Sequence, residues 1–375
     1  MAFSFGSMFS SLKGARGSVI GLDIGSSSVK VVQLSKKGGR VVLDTYGALA
    51  LGPYANVEIG RATMLSGTKI AEVVKDLFRE ASITTRNASV AIPLASSLVT
   101  MIEMPDLPQK ELADMIPIEA RKYIPVPISE VMLDWWVIPK ADEPSSSYMG
   151  KEAGQQGKMV DVLLVVILNE ALTKYQEVIK QAEVQSSFYE IEIFSTIRSA
   201  LDGGGMQPTM VVDFGAATTK LYIIERGVVR ASHTVNKGSQ DLTFAIGNAC
   251  SISVAEAENL KRTHGLAGEC GGKSIRDIAG TVLQFIFSEA NMVLLNYEKK
   301  YGKNVSTAML TGGGSTLKGI LEVAKSVFET DVVLGDPFNK VQTPAFMDPV
   351  LRQVGPEFAV ALGLALRKIM EQDGV

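Results

Sequence analysis

The sequence contains little cysteine and little histidine. Among its 375 residues the only cysteines are Cys250 and Cys270, and the only histidines are His233 and His264. These four residues lack the paired spacing of a structural zinc site, so a zinc site is not expected. A single cysteine pair is also a poor disulfide framework, and no secretory segment precedes the fold, so we expect two reduced thiols in the cytosol.

The sequence also lacks a strong charge of one sign and long apolar runs. Its 37 basic and 40 acidic side chains give a net charge of −3, and no long basic run indicates nucleic acid as a partner. No apolar run reaches the roughly 18 to 20 residues that a membrane-spanning helix needs, so we do not expect an integral membrane protein. At 375 residues the chain is too long for one small core and suits two domains.

Two apolar, strand-like runs within residues 19–34 are joined by a turn of one glycine and three serines. Gly25 lets the backbone approach a ligand closely, and the amides and hydroxyls of Ser26 and Ser27 can donate hydrogen bonds to an anion. Asp23 ends the first run, where its carboxylate could hold Mg²⁺ through water. A single pattern of this kind also describes an ordinary β-hairpin with serines in its turn.

The same plan recurs in residues 210–224, where Asp213 lies 190 residues after Asp23. Two such units predict two related halves that face each other across a nucleotide. A third stretch, residues 308–319, leads from a strand into three consecutive glycines. Such a run weakens any regular element, so it indicates close approach of the backbone to a ligand.

Hydrophobic periodicity and breakers divide the rest of the chain. Residues 1–18 are predicted either as a short amphipathic helix for a membrane surface or partner, or as a leader that orders only locally. Residues 95–186 are predicted as a compact strand and helix module inserted into the first domain, with a loop at 141–158. Other predicted helices and strands are at 40–51, 70–81, 88–92, 109–123, 131–138, 161–168, 170–182, 190–201, 219–224, 228–235, 241–248, 253–263, 274–301, 307–310, 331–334 and 355–367.

With these elements in order, the chain resembles the actin-like ATPase superfamily over about residues 19–370. The runs DIGSSSVK, EARKYIPVPI, AExxKRxHG and AVALGLALR are similar to the PilM family of type IV pilus assembly proteins. The resemblance implies an α/β, actin-like (ribonuclease H-like) two-domain fold with a nucleotide cleft and an inserted α+β subdomain, as in the cell-division protein FtsA. It implies a first domain of residues 19–94, 187–208 and 355–375, an insert of 95–186, and a second domain of 209–354 with a helical part at about 236–304.

The resemblance also implies ATP and Mg²⁺ as cofactors and assigns the residues that hold them. Asp23 and Asp213 would orient the metal and its waters, and Glu258 and Lys261 would face the ribose and adenine. The same pair could instead be a solvated ion pair one helical turn apart. The remaining residues implied to contact ATP are Gly25, Ser26, Ser27, Lys30, Gly215, Thr218, Gly312, Gly313 and Gly314.

A protein of this family would be cytoplasmic and peripheral at the inner-membrane face, attached through its partners. The resemblance implies that it holds the N-terminal cytoplasmic peptide of PilN and works beside the pilus motor ATPases, and it leaves assembly with copies of itself open. We expect the inserted module to form one wall of the peptide groove. This wall would use apolar Trp135, Trp136, Ile124 and Ile128 beside acidic Glu119, Glu130 and Asp134.

The enzymatic activity stays open from the sequence. Hydrolysis needs a polar side chain that places the attacking water, and the predicted helix offers Glu190 and Glu192 without a motif that selects either. The catalytic residue is therefore unassigned, and we expect ATP binding with slow hydrolysis at most. An FtsA-like membrane-associated filament protein and a small-molecule kinase of the same superfamily are the alternatives, although no further carboxylate motif for an acceptor hydroxyl is present.

Overall fold

The computed structural model describes residues 17–138, 159–201 and 207–372. The predicted amphipathic leader and the predicted loop at 141–158 lie outside the described residues. Two five-stranded sheets, a three-stranded sheet and ten helices organise the described part of the chain.

The first sheet consists of β1 (Val19–Ile24), β2 (Ser28–Lys37), β3 (Arg40–Ala50), β4 (Asn87–Ile92) and β8 (Gln185–Ile191), in the order β3-β2-β1-β4-β8. All six residues of the central strand β1 are buried because helices cover both faces of the sheet. Ile20 and Leu22 pack towards helices α1 (Gly67–Glu80) and α3 (Asn169–Gln181). Val19 packs towards helix α10 (Ala359–Gln372) on the other face, next to helix α4 (Glu192–Ala200).

The second sheet repeats this plan with β9 (Thr209–Phe214), β10 (Thr219–Glu225), β11 (Val228–Val235), β14 (Thr307–Thr311) and β15 (Asp331–Leu334), in the order β11-β10-β9-β14-β15. In both sheets the first three strands form an antiparallel meander, and the fourth strand of the same sheet pairs in parallel with the first. The recurring hairpin of the sequence thus belongs to a recurring sheet. The helices of this half are α5 (Ser239–Cys250), α6 (Val254–His264), α7 (Ile275–Tyr301) and α8 (Ile320–Val327), with a small hairpin of β12 (Glu269–Cys270) and β13 (Lys273–Ser274). Helix α9 (Asp348–Val354) packs instead in the core that β1, β2 and α10 share.

The inserted module contains β5 (Ser97–Pro105), β6 (Val131–Ile138) and β7 (Met159–Leu168) in the order β5-β7-β6, together with helix α2 (Gln109–Ala120). Alternate residues of the central strand β7 face opposite layers. Val162, Leu164 and Val166 pack with α2, whereas Leu163, Val165 and Ile167 lie in one core with residues of β10 and β11. The module therefore follows β4 of the first sheet along the chain, whereas in space it packs against β10 and β11 of the second sheet. Helix α3, which the sequence analysis placed in the module, packs with α1 and also contacts β7 of the module.

Three expectations need correction. Strand β8 was not predicted, and it includes Glu190, so the helix that follows begins at Glu192. The structure pairs Cys250 with Cys270 as a disulfide, with Cα atoms 6.0 Å apart, a separation that suits such a bond, so the expectation of two separate thiols is wrong. By length and composition alone, helix α7 is also long and apolar enough to cross a membrane. The buried face of α7, however, packs on β10 and β11. A core helix that covers a sheet can have the same length and apolar composition as a membrane-spanning helix.

Helix α10 approaches its neighbours closely because two glycines have no Cβ. A Cβ on Gly21 of β1 would overlap the carbonyl oxygen of Ala361 in α10. A Cβ on Gly363 of α10 would overlap the carbonyl oxygen of Ser195 in α4. Backbone atoms cannot move aside as a flexible side chain can, so both positions require glycine.

A buried carboxylate joins the same elements electrostatically. Glu190, 2% exposed, accepts hydrogen bonds from Arg198 of α4 at 2.8 Å and from Arg367 of α10 at 2.8 Å, and Ser195 donates to it at 2.6 Å. Burial alone would raise the pKa of Glu190, but the two guanidinium groups outweigh burial and hold the pKa below its usual value. The carboxylate therefore stays ionised in the core.

We predict that Gly363→Ala destabilises the protein by about 3 kcal/mol, because the methyl group forces α10 away from α4. Helix propensity alone would predict the opposite sign, since alanine is favoured over glycine by about 1 kcal/mol in a helix. The matched control is Gly280→Ala in α7, where a Cβ meets no atom within 4 Å. Chemical denaturation of both variants measures the difference, and equal stability of the two would contradict the close approach.

We predict that Glu190→Gln lowers the free energy of unfolding by about 3 kcal/mol at neutral pH, because Arg198 loses its carboxylate partner and buried Arg367 keeps only Glu371. The folded-state pKa of Glu190 lies below the unfolded value, so its contribution is present above about pH 4.3 and disappears as the pH falls through the folded-state pKa. The gap between wild type and variant should therefore narrow at low pH. A gap that stays constant from pH 7 to about pH 3 would refute this assignment.

Candidate nucleotide-binding site

A cavity of about 970 Å³ lies between the two five-stranded sheets. Its wall is formed by the hairpins β1–β2 and β9–β10, the glycine turn after β14, and the helices α5 and α6. All thirteen residues that the sequence analysis assigned to ATP line this one cavity, namely Asp23, Gly25, Ser26, Ser27, Lys30, Asp213, Gly215, Thr218, Glu258, Lys261, Gly312, Gly313 and Gly314. Residues almost 300 positions apart in the sequence thus share one wall.

The two hairpin turns are closed in the same way. The Gly25 amide donates to the Ser28 carbonyl at 3.0 Å, and the Gly215 amide donates to the Thr218 carbonyl at 3.0 Å. A Cβ on Gly215 would lie 2.8 Å from the Thr218 oxygen, so the turn itself requires glycine there. Other backbone amides bind the turn carbonyls, for example Thr63 to Ser26 at 2.9 Å, so each turn is fixed before a ligand binds.

The three consecutive glycines have different roles. Gly312 has a φ of +80°, and a Cβ there would lie 2.7 Å from the carbonyl oxygen of Phe214. A Cβ on Gly314 would lie 2.6 Å from the Phe214 ring. Both glycines are therefore needed for packing on β9. A Cβ on Gly313 would meet only Glu357, at 3.8 Å, so this glycine alone borders open space in the cavity.

Each hairpin carries an aspartate and a lysine as cross-strand partners. Asp23 pairs with Lys30, and Asp213 pairs with Lys220. The sequence analysis named Lys30 but missed Lys220, although both lysines follow their aspartates by the same interval of seven residues. Comparing the two hairpins position by position would have found it.

Helix α4 adds a third carboxylate to the cavity. The Glu192 Oε1 atom accepts a hydrogen bond from the Leu94 amide at 2.7 Å, and its Oε2 atom lies 2.7 Å from Lys220 Nζ. Of the two glutamates that the sequence left unresolved, Glu192 lines the cavity, whereas Glu190 is bound to arginines in the core.

The carboxylates of the cavity influence one another. Burial raises the pKa of Asp23; Lys30 and Lys220 oppose this rise, and the nearby charge of Asp213 adds to it. Burial lowers the pKa of Lys220, but the charges of Asp213 and Glu192 outweigh burial and raise it well above its usual value. Lys220 is therefore a permanent cation in the cavity.

The donor set can be tested against Mg²⁺. Asp23 and Asp213 come from facing hairpins, and their mutual repulsion favours a cation between them. Over the described ranges, no three His, Cys, Asp or Glu side chains converge as a metal site. Two carboxylates fit a Mg²⁺ that is held through water and nucleotide phosphates, and they do not fit a metal held by protein side chains alone.

Glu258 and Lys261 form a buried ion pair, so the alternative of a solvated pair is wrong. Helix α6 begins with a capping box between Ser253 and Glu256, which sets the face that the next turn presents inward. Lys261 Nζ lies 2.6 Å from Glu258 Oε2, and Thr243 donates to the same oxygen at 2.7 Å. Burial would raise the pKa of Glu258, but Lys261 and its other donors hold the pKa below its usual value.

Comparisons with known proteins show which family has a similar sequence. The family profile described as type IV pilus assembly protein PilM matches residues 21–369. The cell division protein FtsA of Neisseria meningitidis serogroup B is 25% identical over 367 residues, covering 87% of this chain and 86% of FtsA.

Solved structures support the same placement. A structure of a PilM-PilN type IV pilus biogenesis complex matches with a TM-score of 0.75 and 26% identity, covering 94% of this chain and 99% of that one. MreB5 of Spiroplasma citri bound to ADP matches with a TM-score of 0.50 and 13% identity, covering 95% of this chain and 98% of that one, which shows the fold alone. The actin-like fold expected from the sequence is confirmed. The chain belongs to the family of the type IV pilus assembly protein PilM.

Proposed function

We propose that this protein is a cytoplasmic, ATP-binding scaffold of the type IV pilus inner-membrane platform. It would bind the N-terminal peptide of PilN, lie at the inner-membrane face through its partners, and act beside the pilus motor ATPases. The observation that supports ATP binding most directly is that one interdomain cavity is lined by all thirteen residues assigned to ATP. The complex of a PilM with PilN, similar over 94% of this chain, supports the choice of partner.

The two hairpins would hold the phosphates from opposite sides. Ser26, Ser27 and Thr218 offer hydroxyl and amide donors at the turns, and Lys30 adds a positive charge. Gly313 borders the open space where the backbone can come close to a phosphate. Mg²⁺, when bound with the nucleotide, supplies charge neutralisation of the phosphates, and Asp23 and Asp213 would hold its water ligands.

Binding suits this site better than rapid hydrolysis. Glu192 is the carboxylate of the cavity best placed to orient a water, but both of its oxygens are engaged, by the Leu94 amide and by Lys220. A carboxylate held in this way is a poor acceptor for the proton of an attacking water. We therefore propose that nucleotide turnover is slow and that bound ATP has mainly a structural role.

We predict that Mg-ATP stabilises the wild-type protein by about 2.7 kcal/mol when its concentration is about 100 times Kd, because only the folded state has the cavity. Gly313→Val should remove this stabilisation while the ligand-free protein stays folded, because the new side chain occupies the open side of the glycine turn. Thermal unfolding with and without Mg-ATP measures both effects. Gly280→Ala is the control, and an equal ATP effect in all three proteins would move the nucleotide elsewhere.

The inserted module offers an edge strand for the peptide. Strand β6 lies at one edge of the three-stranded sheet, and β5 lies at the other. Of the two tryptophans on β6, Trp135 packs on the α2 side and Trp136 on the opposite side, as strand alternation requires. Ile124 is buried in the α2 core, so it supports the predicted wall from within.

Charge on β6 suits a basic residue of the peptide. Burial raises the pKa of Asp134, which is half-buried at this edge, so a cation beside it would be favoured. Glu119 is already paired with Lys122 at 2.8 Å, so it is less available to a partner than the sequence suggested. We propose that Asp134 and Glu130 fix the register of the peptide along β6.

We predict that Asp134→Asn weakens binding of a synthetic PilN N-terminal peptide by about tenfold, or about 1.4 kcal/mol. Glu103→Gln, an exposed carboxylate on the opposite edge strand β5, is the matched control and should leave Kd unchanged. Isothermal titration calorimetry with the full chain measures both values. Equal losses in the two variants would indicate a general charge effect, and no loss in either would place the peptide away from β6.

A further inference from the structure

The two hairpins repeat one aspartate and lysine pattern but place the two lysines differently. Lys30 Nζ lies 3.8 Å from Asp23 and 4.0 Å from Glu357, which are loose contacts. Lys220 Nζ lies 3.1 Å from Asp213 Oδ2 and 2.7 Å from Glu192 Oε2, within hydrogen-bond distance of both. Only in the second hairpin does the ammonium bridge two carboxylates.

This ammonium occupies a fixed position between the two halves. Its side chain is 16% exposed and lines the cavity, and Asp213 and Glu192 are themselves buried. Asp213 belongs to β9 of the second sheet, whereas Glu192 begins α4, which packs with the first sheet. The Leu94 amide holds the second oxygen of Glu192, so the carboxylate cannot turn away without losing a buried hydrogen bond.

Such an ammonium does part of the work of a divalent cation. A metal in a nucleotide cleft neutralises carboxylates and phosphates that would otherwise repel one another. Here Lys220 offsets one of the two negative charges of Asp213 and Glu192. Phosphates that enter between the hairpins meet a cation that is part of the chain.

On the basis of the proposed nucleotide site, we propose that Lys220 is the resident cation of the cleft and makes ATP binding only weakly dependent on Mg²⁺. Lys220 thereby determines the cofactor requirement of the site. Lys30 does not share this role. Its contacts with Asp23 and Glu357 are loose, so its ammonium can bind the phosphates whether or not Mg²⁺ is present.

Isothermal titration of ATP in Mg²⁺ and in EDTA tests this role. For the wild type we expect Kd to rise less than about tenfold when Mg²⁺ is removed, whereas for Lys220→Gln we expect a rise of about 100-fold. Lys220→Arg retains the charge and should behave like the wild type. Lys30→Gln is the matched control: it should weaken binding in both media and leave the ratio of the two Kd values as in the wild type.

Lys220→Gln leaves two buried carboxylates without a cation, which destabilises the fold. The test therefore needs a second variant in which this repulsion is reduced. The double variant Lys220→Gln with Glu192→Gln removes one of these charges and should show the same strong Mg²⁺ dependence. A wild-type Kd that rises about 100-fold in EDTA, or equal ratios in wild type and both Lys220→Gln proteins, would overturn the role of Lys220 while leaving the nucleotide site intact. No ATP binding by the wild type in either medium would instead refute the nucleotide site, and the role of Lys220 with it.

Discussion

The cavity depends on the packing of α10, which is possible only because Gly21 and Gly363 lack a Cβ. This packing holds residues 355–358, which precede the helix, against the end of the second sheet. The Pro356 carbonyl accepts hydrogen bonds from the Gly312 amide at 2.9 Å and from Thr311 Oγ1 at 3.1 Å. A helix that completes the core of the first half thus fixes the glycine turn of the second half. The two halves share this contact, so a change that weakens the packing of α10 in the core also disturbs the glycine turn of the cleft.

Sequence reasoning found the parts of the fold that have a local signal. The two hairpins, the glycine run and α7 each depend on residues close together in the chain, and the structure has them. Strand β8 has no such signal, because its alternation is weak at its polar start and it forms by pairing in parallel with β4, about 100 residues earlier. The pairing of Cys250 with Cys270 likewise follows from how α5 and the β12–β13 hairpin meet, which composition cannot reveal.

The candidate site divides in the same way. The sequence could nominate Asp23, Asp213 and the glycines because each belongs to a local motif. It could not tell that Glu192 and Lys220 meet, because they come from different layers and are 28 residues apart. It also predicted no difference between Glu190 and Glu192, since they differ only in the end of a strand and the start of a helix. Burial and partner charge, both set by tertiary packing, decide that one is structural and the other faces the cavity.

The inserted module connects the cleft with the surface proposed for the partner. It is joined covalently to the first sheet through β4 and α3, and its core includes residues of both sheets, such as Ile92 of β4 and Tyr222 of β10. Ser232 of β11 donates to the Val99 carbonyl of β5 at 2.8 Å, and Arg230 pairs with Asp161 of β7 at 3.1 Å. Any change in the angle between the two halves must therefore strain either these contacts or the chain that leads into the module. If the proposed nucleotide binds both hairpins, it fixes this angle and with it the position of β6 relative to the second sheet. The packing that closes the cleft would then link the affinities of the proposed nucleotide and the proposed partner peptide.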